Sequence, residues 1–237
     1  MGTLYLIATP IGNLKDITAR AIETIFSVDY LLCEDTRQTG MLLKQFETKV
    51  WKKTPKLISF YDEVEGQKVP QVINLLQNGA NIGLISDAGT PLLSDPGFKL
   101  VYECLKRKIK VISLPGASAL LTGITSSGLP LNSFWFLGFP PSSQPKREAF
   151  FKALKNTLSS LPKNLSKPTV VFYEAPHRLP QVLEDFNKVF DDSEIVLARE
   201  LTKIYEEVEK KKSSEWLKYF RKNKPQGEYV LLFTTRV

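Results

Sequence analysis

The sequence predicts an α/β protein built from two domains. Short apolar runs rich in Val, Ile, Leu, Phe and Tyr alternate with helical patterns from one end of the chain to the other, which is typical of sheets covered by helices. The chain has 237 residues, which is more than one typical domain of about 150 residues. Its 43% hydrophobic residues are enough to build sizeable cores, and its 24% charged residues are typical of a globular protein. This composition excludes a disordered chain.

The first half of the chain carries five predicted strands with helices between them. The strands are expected at residues 4–8, 30–34, 57–60, 81–86 and 111–114. The helices are expected at residues 17–26, 39–46, 67–77 and 98–107. Asp16 is the expected N-cap of the first helix, because aspartate accepts hydrogen bonds from the free amides of a helix start. This order predicts a complete parallel sheet with helices on both faces.

A second alternating set follows the first. Helices are expected near 117–125 and at 147–158, 179–190 and 214–221, and strands at 134–138, 169–173, 195–199 and 229–234. The basic stretch 210–224 is interpreted as a solvated face. The boundary between the two sets falls at residues 114–117. We therefore expect an N-terminal α/β domain over residues 1–115 and a C-terminal α/β domain over residues 116–237.

The longest uncharged run, residues 111–145, is not a membrane span, because glycine and proline interrupt it repeatedly. We interpret it as a buried domain junction that also lines a ligand cleft, since ligands often bind between domains. The N-terminus enters a strand pattern at once and lacks the basic and apolar regions of a signal peptide. We expect a cytoplasmic protein with no membrane partner.

The cysteine and histidine content excludes a zinc cluster. The chain has two cysteines, Cys33 and Cys104, and one histidine, His177, whereas a structural zinc site takes about four such ligands. No metal is therefore expected. The two cysteines are interpreted as reduced core residues rather than nucleophiles.

The charge balance favours a polyanionic partner. Lys and Arg number 32 against 25 Asp and Glu, which leaves a net charge of +7, and most of the surplus lies in the second half of the chain. Positive charge supplies the sequence-independent part of nucleic-acid affinity. The surplus alone does not decide the partner.

Ligands of open parallel sheets bind beyond the carboxyl ends of the strands, so the segments after each strand are the places to look for chemistry. The first strand is followed by Thr9-Pro10-Ile11-Gly12-Asn13, where Pro10 fixes the backbone and Gly12 allows a ligand to approach closely. The segment has one glycine, whereas a dinucleotide fingerprint needs three at fixed spacing. The chain contains neither that fingerprint nor a Walker loop, which argues against dehydrogenases and P-loop enzymes.

The second strand is followed by Glu34-Asp35-Thr36-Arg37, for which two interpretations stand. The first is a helix N-cap with a structural ion pair. The second is a ligand site in which Arg37 binds a phosphate or carboxylate while a neighbouring acid orients the ligand.

The richest loop, residues 86–97, follows the fourth strand and reads Ser-Asp-Ala-Gly-Thr-Pro-Leu-Leu-Ser-Asp-Pro-Gly. Its glycines, prolines and aspartates indicate an ordered, irregular loop with exposed backbone groups. Without Lys or Arg it is a poor phosphate site. Carbonyls and carboxylates suit a cationic ligand with hydrogen-bonding edges, such as S-adenosylmethionine.

Three more segments place polar or small residues just after strands. Residues 115–119, Pro-Gly-Ala-Ser-Ala, let a ligand lie against the free amides of a helix start. Residues 172–178, Phe-Tyr-Glu-Ala-Pro-His-Arg, and 199–203, Arg-Glu-Leu-Thr-Lys, put charges past two strands of the second half. Each of the two charged segments, taken alone, is more often structural than catalytic.

Together and in this order, these segments resemble the tetrapyrrole-methylase superfamily of S-adenosylmethionine-dependent methyltransferases, from residue 4 to about residue 233. The likeness is carried by residues 4–18, 34–37, 86–97, 114–119, 128–130, 138–141, 172–178 and 199–203. Within the superfamily, the chain is most similar to the bacterial enzymes that methylate the ribose 2′-hydroxyl of a cytidine in small-subunit (16S) ribosomal RNA.

The resemblance implies two α/β domains, the second with a mixed sheet, a homodimer, and S-adenosylmethionine bound in the cleft between the domains, with S-adenosylhomocysteine as product. The cofactor site that it implies consists of Pro10, Gly12, Asp87, Ala88, Gly89, Thr90, Pro91, Pro115, Gly116, Ala117, Ser118 and Ala119. The partner that it implies is ribosomal RNA or the small ribosomal subunit, approaching from the basic second domain.

Methyl transfer needs the acceptor oxygen aligned with the methyl carbon, and a general base can add about 10² to 10⁴ in rate. Lys203 or Glu200 is the candidate base. Glu34, Asp35, Arg37 and Arg178 are candidate substrate-binding residues, with the arginines placing the phosphate backbone.

Some positions depart from the family pattern, and two alternatives stay open. Residues 61–65 read Tyr-Asp-Glu-Val-Glu where members often have a His-rich stretch ending in Asn-Glu, and Gln38 and Gln226 replace a usual His and Lys. These departures concern substrate recognition. The alternatives are a methyltransferase of a tetrapyrrole or other small molecule on the same fold, and a non-catalytic RNA-binding module.

Overall fold

The computed structural model describes residues 1–46, 54–162 and 165–235. The chain divides into two compact units, Met1–Ser118 and Ala119–Val237. The sequence-based boundary lies between residues 115 and 116, at the end of the last strand of the first unit. Each unit has its own sheet and its own apolar core.

The first unit alternates strands and helices along the chain. Its strands are β1 (Thr3–Ile7), β2 (Tyr30–Cys33), β3 (Lys56–Ser59), β4 (Ile82–Leu84) and β5 (Lys110–Leu114). Its helices are α1 (Ala19–Ser27), α2 (Thr36–Phe46), α3 (Asp62–Gln77) and α4 (Phe98–Lys106), with a 3-10 turn at Leu14–Asp16 before α1.

The five strands form one parallel sheet in the order β3-β2-β4-β1-β5. β4 lies between β1 and β2, with Leu84 opposite Leu6 on one side and Leu32 on the other. The carboxyl ends of β1, β2 and β4 are therefore neighbours at one edge of the sheet. The loops after these strands are the ones in which the sequence predicts ligand binding.

Helices cover both faces of this sheet, as the sequence predicts. On one face Leu4, Leu32 and Leu84 pack with residues of α3 and α4. On the other face Ile7 and Leu31 pack with residues of α1 and α2. The alternation of side chains along each strand sends neighbouring apolar residues to opposite faces, so both faces are buried.

Three helix starts in the first unit differ from the prediction: α1, α2 and α3 begin at Ala19, Thr36 and Asp62 and not at residues 17, 39 and 67. Asp16 is not the N-cap of α1: it ends the 3-10 turn, and Thr18 accepts the capping hydrogen bond from the Ala21 amide at 3.1 Å. Helix α3 begins at Asp62, several residues before the expected start, with three acidic residues in its first turn. Acidic side chains stabilise a helix N-terminus, so this charged segment is helix rather than loop.

The second unit contains a mixed sheet. Its strands are β6 (Phe134–Phe136), β7 (Thr169–Glu174), β8 (Glu194–Arg199), β9 (Glu207–Lys212) and β10 (Tyr229–Phe233). Its helices are α5 (Ala119–Ser126), α6 (Gln144–Ser160), α7 (Leu179–Phe190) and α8 (Ser213–Phe220). The strand order is β6-β7-β10-β8-β9, parallel between β6 and β7 and antiparallel elsewhere.

An aromatic core fills the space between this sheet and helices α6, α7 and α8. Phe151, Phe172, Phe186 and Phe233 are fully buried there, and the Phe186 and Phe233 rings meet edge to face at 4.8 Å. Helix α5 contacts β7 and β10, where Gly123 allows a close approach: a Cβ atom at that position would lie 3.2 Å from Val230 Cγ1.

Strand β9 was missed by the sequence analysis. Its residues, Glu207–Lys212, include three consecutive lysines and were partly assigned to a solvated stretch. β9 lies at the edge of the sheet, paired on one side with β8. Charged residues, lysine above all, are common on edge strands because they prevent pairing with other chains. The charge pattern therefore hides a strand that pairing with β8 stabilises.

Cys33 and Cys104 are both fully buried and free, which confirms their assignment as core residues. Burial raises the pKa of both thiols, that of Cys104 to about 11, and so keeps them protonated and unreactive. In the described part of the chain, no helix is long and apolar enough to cross a membrane.

Candidate functional site

The loops after β1 and β4 are joined by a backbone bridge at the carboxyl edge of the first unit's sheet. The Thr9 amide donates to the Gly89 carbonyl oxygen at 2.9 Å, and the Gly89 amide donates to the Thr9 carbonyl oxygen at 3.1 Å. Thr9 is buried, and its hydroxyl donates to the Ser86 carbonyl oxygen at 3.0 Å. Two of the three predicted cofactor loops are therefore locked together.

The loop after β5 joins the same cluster. The Thr90 hydroxyl donates to the Ala117 carbonyl oxygen at 3.0 Å. Gly116 lies so close to the loop after β1 that a Cβ atom there would be 2.7 Å from Ala8 Cβ. The first unit thus brings together the loops that carry the predicted cofactor residues at positions 10, 12, 87–91 and 115–118. Ala119, the last predicted member, begins α5 in the second unit.

Gly89 is needed for the shape of this edge. Its φ of +85° is a left-handed conformation that glycine adopts without strain. A Cβ atom there would also lie 3.1 Å from Ile11 Cγ2. The backbone bridge to Thr9 therefore depends on a residue without a side chain.

Three carboxyl groups make this edge acidic. The Asp87 amide donates to Glu34 Oε1 at 3.4 Å, and the Asp35 amide donates to Asp87 Oδ1 at 3.4 Å. Burial, reinforced by the neighbouring charge of Glu34, raises the pKa of Asp95 to about 7. Burial also raises the pKa of Glu34 and of Asp87. No lysine or arginine in the described ranges forms a salt bridge with Glu34, Asp87 or Asp95, so the edge favours a positively charged ligand.

Asp35 has the structural role that the first interpretation of residues 34–37 predicts. Its carboxylate accepts hydrogen bonds from the Arg37 amide at 2.7 Å and from Arg37 Nη2 at 3.1 Å. Hydrogen bonds from the Arg37 side chain, then from its amide, lower the pKa of Asp35. The Arg37 side chain is 89% exposed, which leaves part of its guanidinium open to an external anion.

A second group of predicted residues lies at one edge of the second unit's sheet. Tyr229, at the start of β10, pairs with Glu174 at the end of β7 and with Arg199 at the end of β8. The segments that follow β7 and β8, which contain Arg178, Glu200 and Lys203, therefore leave the sheet at the same edge.

Glu200 and Lys203 form an ion pair in the loop between β8 and β9, with Lys203 Nζ 3.0 Å from Glu200 Oε1. Glu200 has a φ of +50° and Thr202 a φ of +66°, which are uncommon conformations for residues with a side chain. Gly227 packs directly against the Glu200 carboxylate, so a Cβ atom there would collide with it. The loop holds the two candidate bases in one defined arrangement.

Arg178 makes internal contacts. Its Nε lies 3.1 Å from Glu174 Oε1, and its Nη2 donates to the Pro140 carbonyl oxygen at 2.5 Å. Burial raises the pKa of Glu174, whose Oε2 has no hydrogen-bond partner among the described residues. Arg178 therefore ties the loop after β6 to the end of β7, while His177 is exposed beside it.

Comparison with known proteins decides the family. The model of the tetrapyrrole (corrin/porphyrin) methylases matches residues 3–216. The chain belongs to the tetrapyrrole methylase family.

Relatives of this tetrapyrrole methylase match it along almost its whole length. Proteins named ribosomal RNA small subunit methyltransferase I are 38% identical in Thermotoga maritima, covering 99% of each chain, and 42% identical in Vibrio cholerae, covering 97% of this chain and 76% of the relative. A uroporphyrin-III-C-methyltransferase from Thermus thermophilus is 18% identical, with a TM-score of 0.63 over 98% of this chain and 94% of that one. The structural likeness confirms the predicted fold.

Several residues that shape the two edges of this tetrapyrrole methylase were not singled out from the sequence. Asp95 stands in the quoted loop, but its half-buried position beside Glu34 depends on the packing of separate loops. Arg199 and Glu207, with Nε and Oε2 2.5 Å apart, are joined across β8 and β9, and β9 was not predicted. The described part of the chain contains no group of three His, Cys, Asp or Glu side chains able to hold a metal.

Proposed function

We propose that this tetrapyrrole methylase transfers a methyl group from S-adenosylmethionine to the ribose 2′-hydroxyl of a cytidine in small-subunit (16S) ribosomal RNA. The observation that carries the proposal is the full-length similarity to proteins named for small-subunit ribosomal RNA methylation, 38% identical over 99% of both chains in Thermotoga maritima. The net charge of +7 supports an RNA substrate.

The acidic edge of the first unit fits the proposed cofactor. S-adenosylmethionine carries a sulfonium and an ammonium group. Glu34, Asp87 and Asp95 form no salt bridge with a lysine or arginine of the described ranges, and their raised pKa values mean that a bound cation would favour their ionised forms. Backbone groups of residues 10–12, 87–91 and 115–119 would hold the adenosine and the methionine part. When bound, the cofactor supplies an electrophilic methyl carbon.

The protein's main contribution is alignment. Transfer to oxygen requires the reacting atoms to be held in line at about 3 to 3.5 Å, and loops that are locked in advance reduce the entropy cost of that geometry. The Thr9–Gly89 bridge and the Thr90–Ala117 hydrogen bond provide such locking on the cofactor side.

Within the Glu200–Lys203 pair, the geometry favours Glu200 as the proton acceptor. The Lys203 ammonium donates to Glu200 Oε1, whereas the carboxylate has further lone pairs with which to accept a proton from a ribose hydroxyl. Lys203 then acts as a positioning residue for the carboxylate. Arg37, whose side chain is exposed, is better suited to contact a phosphate than Arg178, which forms an ion pair with Glu174 and donates to the Pro140 carbonyl oxygen.

A cytoplasmic location and a homodimer belong to the same proposal. The homodimer follows from the resemblance to the family, whereas the location follows from the N-terminal sequence pattern and agrees with a ribosomal RNA substrate. Sedimentation of the purified chain measures the assembly state.

Calorimetric titration with S-adenosylmethionine, followed by transfer of a labelled methyl group to small ribosomal subunits from cells lacking the protein, tests the activity. Nuclease mapping of the labelled RNA identifies the nucleotide and the ribose position. We expect binding, transfer and a single 2′-O-methylated cytidine. Binding of the cofactor with transfer only to a tetrapyrrole contradicts the proposal, as does RNA binding without affinity for the cofactor.

Substitution of the candidate base separates chemistry from binding. Glu200→Gln is expected to lower the rate of methyl transfer by about 10² to 10⁴, the usual contribution of a general base, and to leave cofactor affinity unchanged. Lys203→Ala is expected to lower the rate less, because it removes a positioning contact. A Glu200→Gln enzyme that transfers methyl groups at the wild-type rate would exclude Glu200 as the base.

A further inference from the structure

Four cations at the end of α8 have no acidic partner in the described part of the chain. We call Lys218, Arg221, Lys222 and Lys224 the α8 cation surface. All four are exposed, and none forms a salt bridge with a described residue. Positions 218, 221 and 222 share one face of the helix, because residues three and four apart are neighbours and Arg221 keeps helical dihedral angles. Glu215, the acidic residue of α8, is bonded at the helix start to the Lys212 amide at 3.0 Å.

The preceding lysines of β9 differ from this surface. Lys210 pairs with Glu194 at 3.3 Å, Lys212 pairs with Asp192 at 3.8 Å, and Lys211 pairs with Glu209. The Lys211 ammonium also lies 4.4 Å from the centre of the Trp216 ring. Among the described residues, the lysines at positions 210–212 are therefore ion-paired, whereas the four cations of the α8 cation surface are not.

An aromatic recess lies beside the cation surface. Tyr219, Phe220, Tyr229 and Lys224 contribute to its wall, and Tyr219 and Phe220 are partly exposed. The Phe220 ring stacks on Trp216 at 5.7 Å between centroids, which fixes its orientation. Lys224 belongs both to the recess and to the cation surface, so the two features are continuous.

The recess adjoins the edge that carries the candidate base. Arg199 and Glu207, which also line it, are paired with each other and lie opposite one another on β8 and β9. Glu200 follows Arg199 directly in the chain. The recess therefore lies at the end of β8 from which the loop with the Glu200–Lys203 pair leaves the sheet.

Helix stabilisation explains only part of the cation surface. Cations in the last turn of a helix interact favourably with its dipole, but the effect falls off beyond that turn. Lys218 lies in the last turn, whereas Lys222 and Lys224 lie past the helix end. Their cluster beside an aromatic recess is instead the combination by which proteins bind single-stranded RNA, with phosphates on cations and unstacked bases on rings.

We propose that the α8 cation surface and the adjoining aromatic recess bind a single-stranded segment of the substrate RNA, with phosphates on the cations and one unstacked base against the partly exposed Tyr219 ring at the wall of the recess. This inference rests on the proposed function and names the surface that holds the RNA.

Paired charge variants test the phosphate contacts. Arg221→Gln with Lys222→Gln removes two cations of the surface, and Lys146→Gln with Lys152→Gln removes two exposed cations of α6 as a matched control. Affinity for a labelled single-stranded RNA of about 12 nucleotides is measured by anisotropy over a range of KCl concentrations. Each phosphate contact on a single strand adds about 0.7 to the slope of log affinity against log salt, so the first pair should lower the slope by about 1.4 and the affinity about tenfold. The control pair should change neither.

Ring variants test the base contact. Tyr219→Leu removes a ring from the recess wall, and Tyr219→Phe keeps it. Loss of stacking should lower affinity about fivefold or more with an unchanged salt slope, while Tyr219→Phe should bind as the wild type does. Thermal unfolding checks that each variant is folded, and the charge variants test the surface independently of the ring.

The outcomes separate this inference from the proposed function. Wild-type methylation of RNA together with unchanged binding by the Arg221→Gln, Lys222→Gln variant overturns the inference and leaves the function standing. A deficit seen with assembled subunits but not with naked RNA points to an acidic protein partner and also overturns it. Failure of the wild type to methylate any RNA overturns the proposed function, and the inference with it. A raised KM for RNA in the variant, with unchanged cofactor affinity, supports both.

Discussion

At the scale of single residues, the two edges depend on side chains whose environment is set by their neighbours. Asp95 is an ordinary aspartate in the sequence, yet burial beside Glu34 raises its pKa to about 7. Glu200 is held by Lys203 on one side and by Gly227 on the other. In both cases the chemistry of the group depends on contacts between separate loops.

The shift of Asp95 predicts a pH-dependent stability. A carboxyl group whose pKa in the folded state lies above its usual 3.8 binds its proton more tightly when folded, so stability is lost as the pH rises from about 4 through about 7. Asp95→Asn should therefore be more stable than the wild type at pH 8 and not at pH 4. Because the group is partly exposed, we expect a gain of only about 1 kcal/mol, measured by urea unfolding. An equal effect at both pH values would contradict the assigned burial.

Gly227 offers a test of the position of Glu200. Gly227→Ala places a methyl group against the carboxylate, and a displacement of about 1 Å at a catalytic group can cost up to about 100-fold in rate. Gly128→Ala is the matched control, since Gly128 has a similar positive φ but no atom within 4 Å of the added methyl group. Both variants should lose about 1 kcal/mol of stability from backbone strain. Only Gly227→Ala should slow methyl transfer, and equal rates in the two variants would argue against Glu200.

At the scale of helices and strands, buried polar groups fix how the elements meet. Glu65 of α3 is buried, and its Oε1 accepts hydrogen bonds from the amides of Gly97 at 3.1 Å and Lys99 at 3.0 Å. A side chain of one helix thus satisfies the free amides at the start of another, α4. Glu65 belongs to the segment 61–65 that departs from the family pattern, and its role here is structural.

Removal of this contact predicts a large loss of stability. Glu65→Ala leaves two amides at the start of α4 without partners, which should lower the free energy of unfolding by about 2 to 3 kcal/mol. Glu63→Ala, on the exposed face of the same helix, should change it by less than about 0.5 kcal/mol. Denaturant unfolding measures both values. Similar losses in the two variants would show that α3 and α4 are held together by apolar packing alone.

At the scale of the whole molecule, each unit protects its own interior. Cys33 and Cys104 both lie in the first unit and are fully buried, and burial raises the pKa of each thiol. Neither should react with a thiol reagent in the native protein at pH 8, and both should react once the first unit unfolds. Mass spectrometry after pulsed labelling counts the modified thiols. Rapid labelling of either cysteine without unfolding would contradict its burial.

Local residue patterns predicted most of the strands and helices. Strands β1 to β8 and β10 follow from short apolar runs, because a buried strand must be apolar wherever it lies in the sheet. Helix starts were less predictable: Thr18 rather than Asp16 caps α1, and the choice between two good capping residues depends on where the preceding 3-10 turn ends. β9 could not be predicted from apolar residues, because it lies at a sheet edge where its residues are charged and partly exposed.

The sequence by itself determined the α/β class, the division into two units, the family and which loops follow the strands. Each of these properties can be read from the order of residues along the chain. Only the tertiary structure decided that the backbones of Thr9 and Gly89 are hydrogen-bonded, that Asp95 lies half-buried beside Glu34, and that Gly227 packs against Glu200. Those contacts join residues far apart in the sequence. The strength of each contact depends on the distance between its groups and on their burial, and both are set only when the strands have assembled into the sheet.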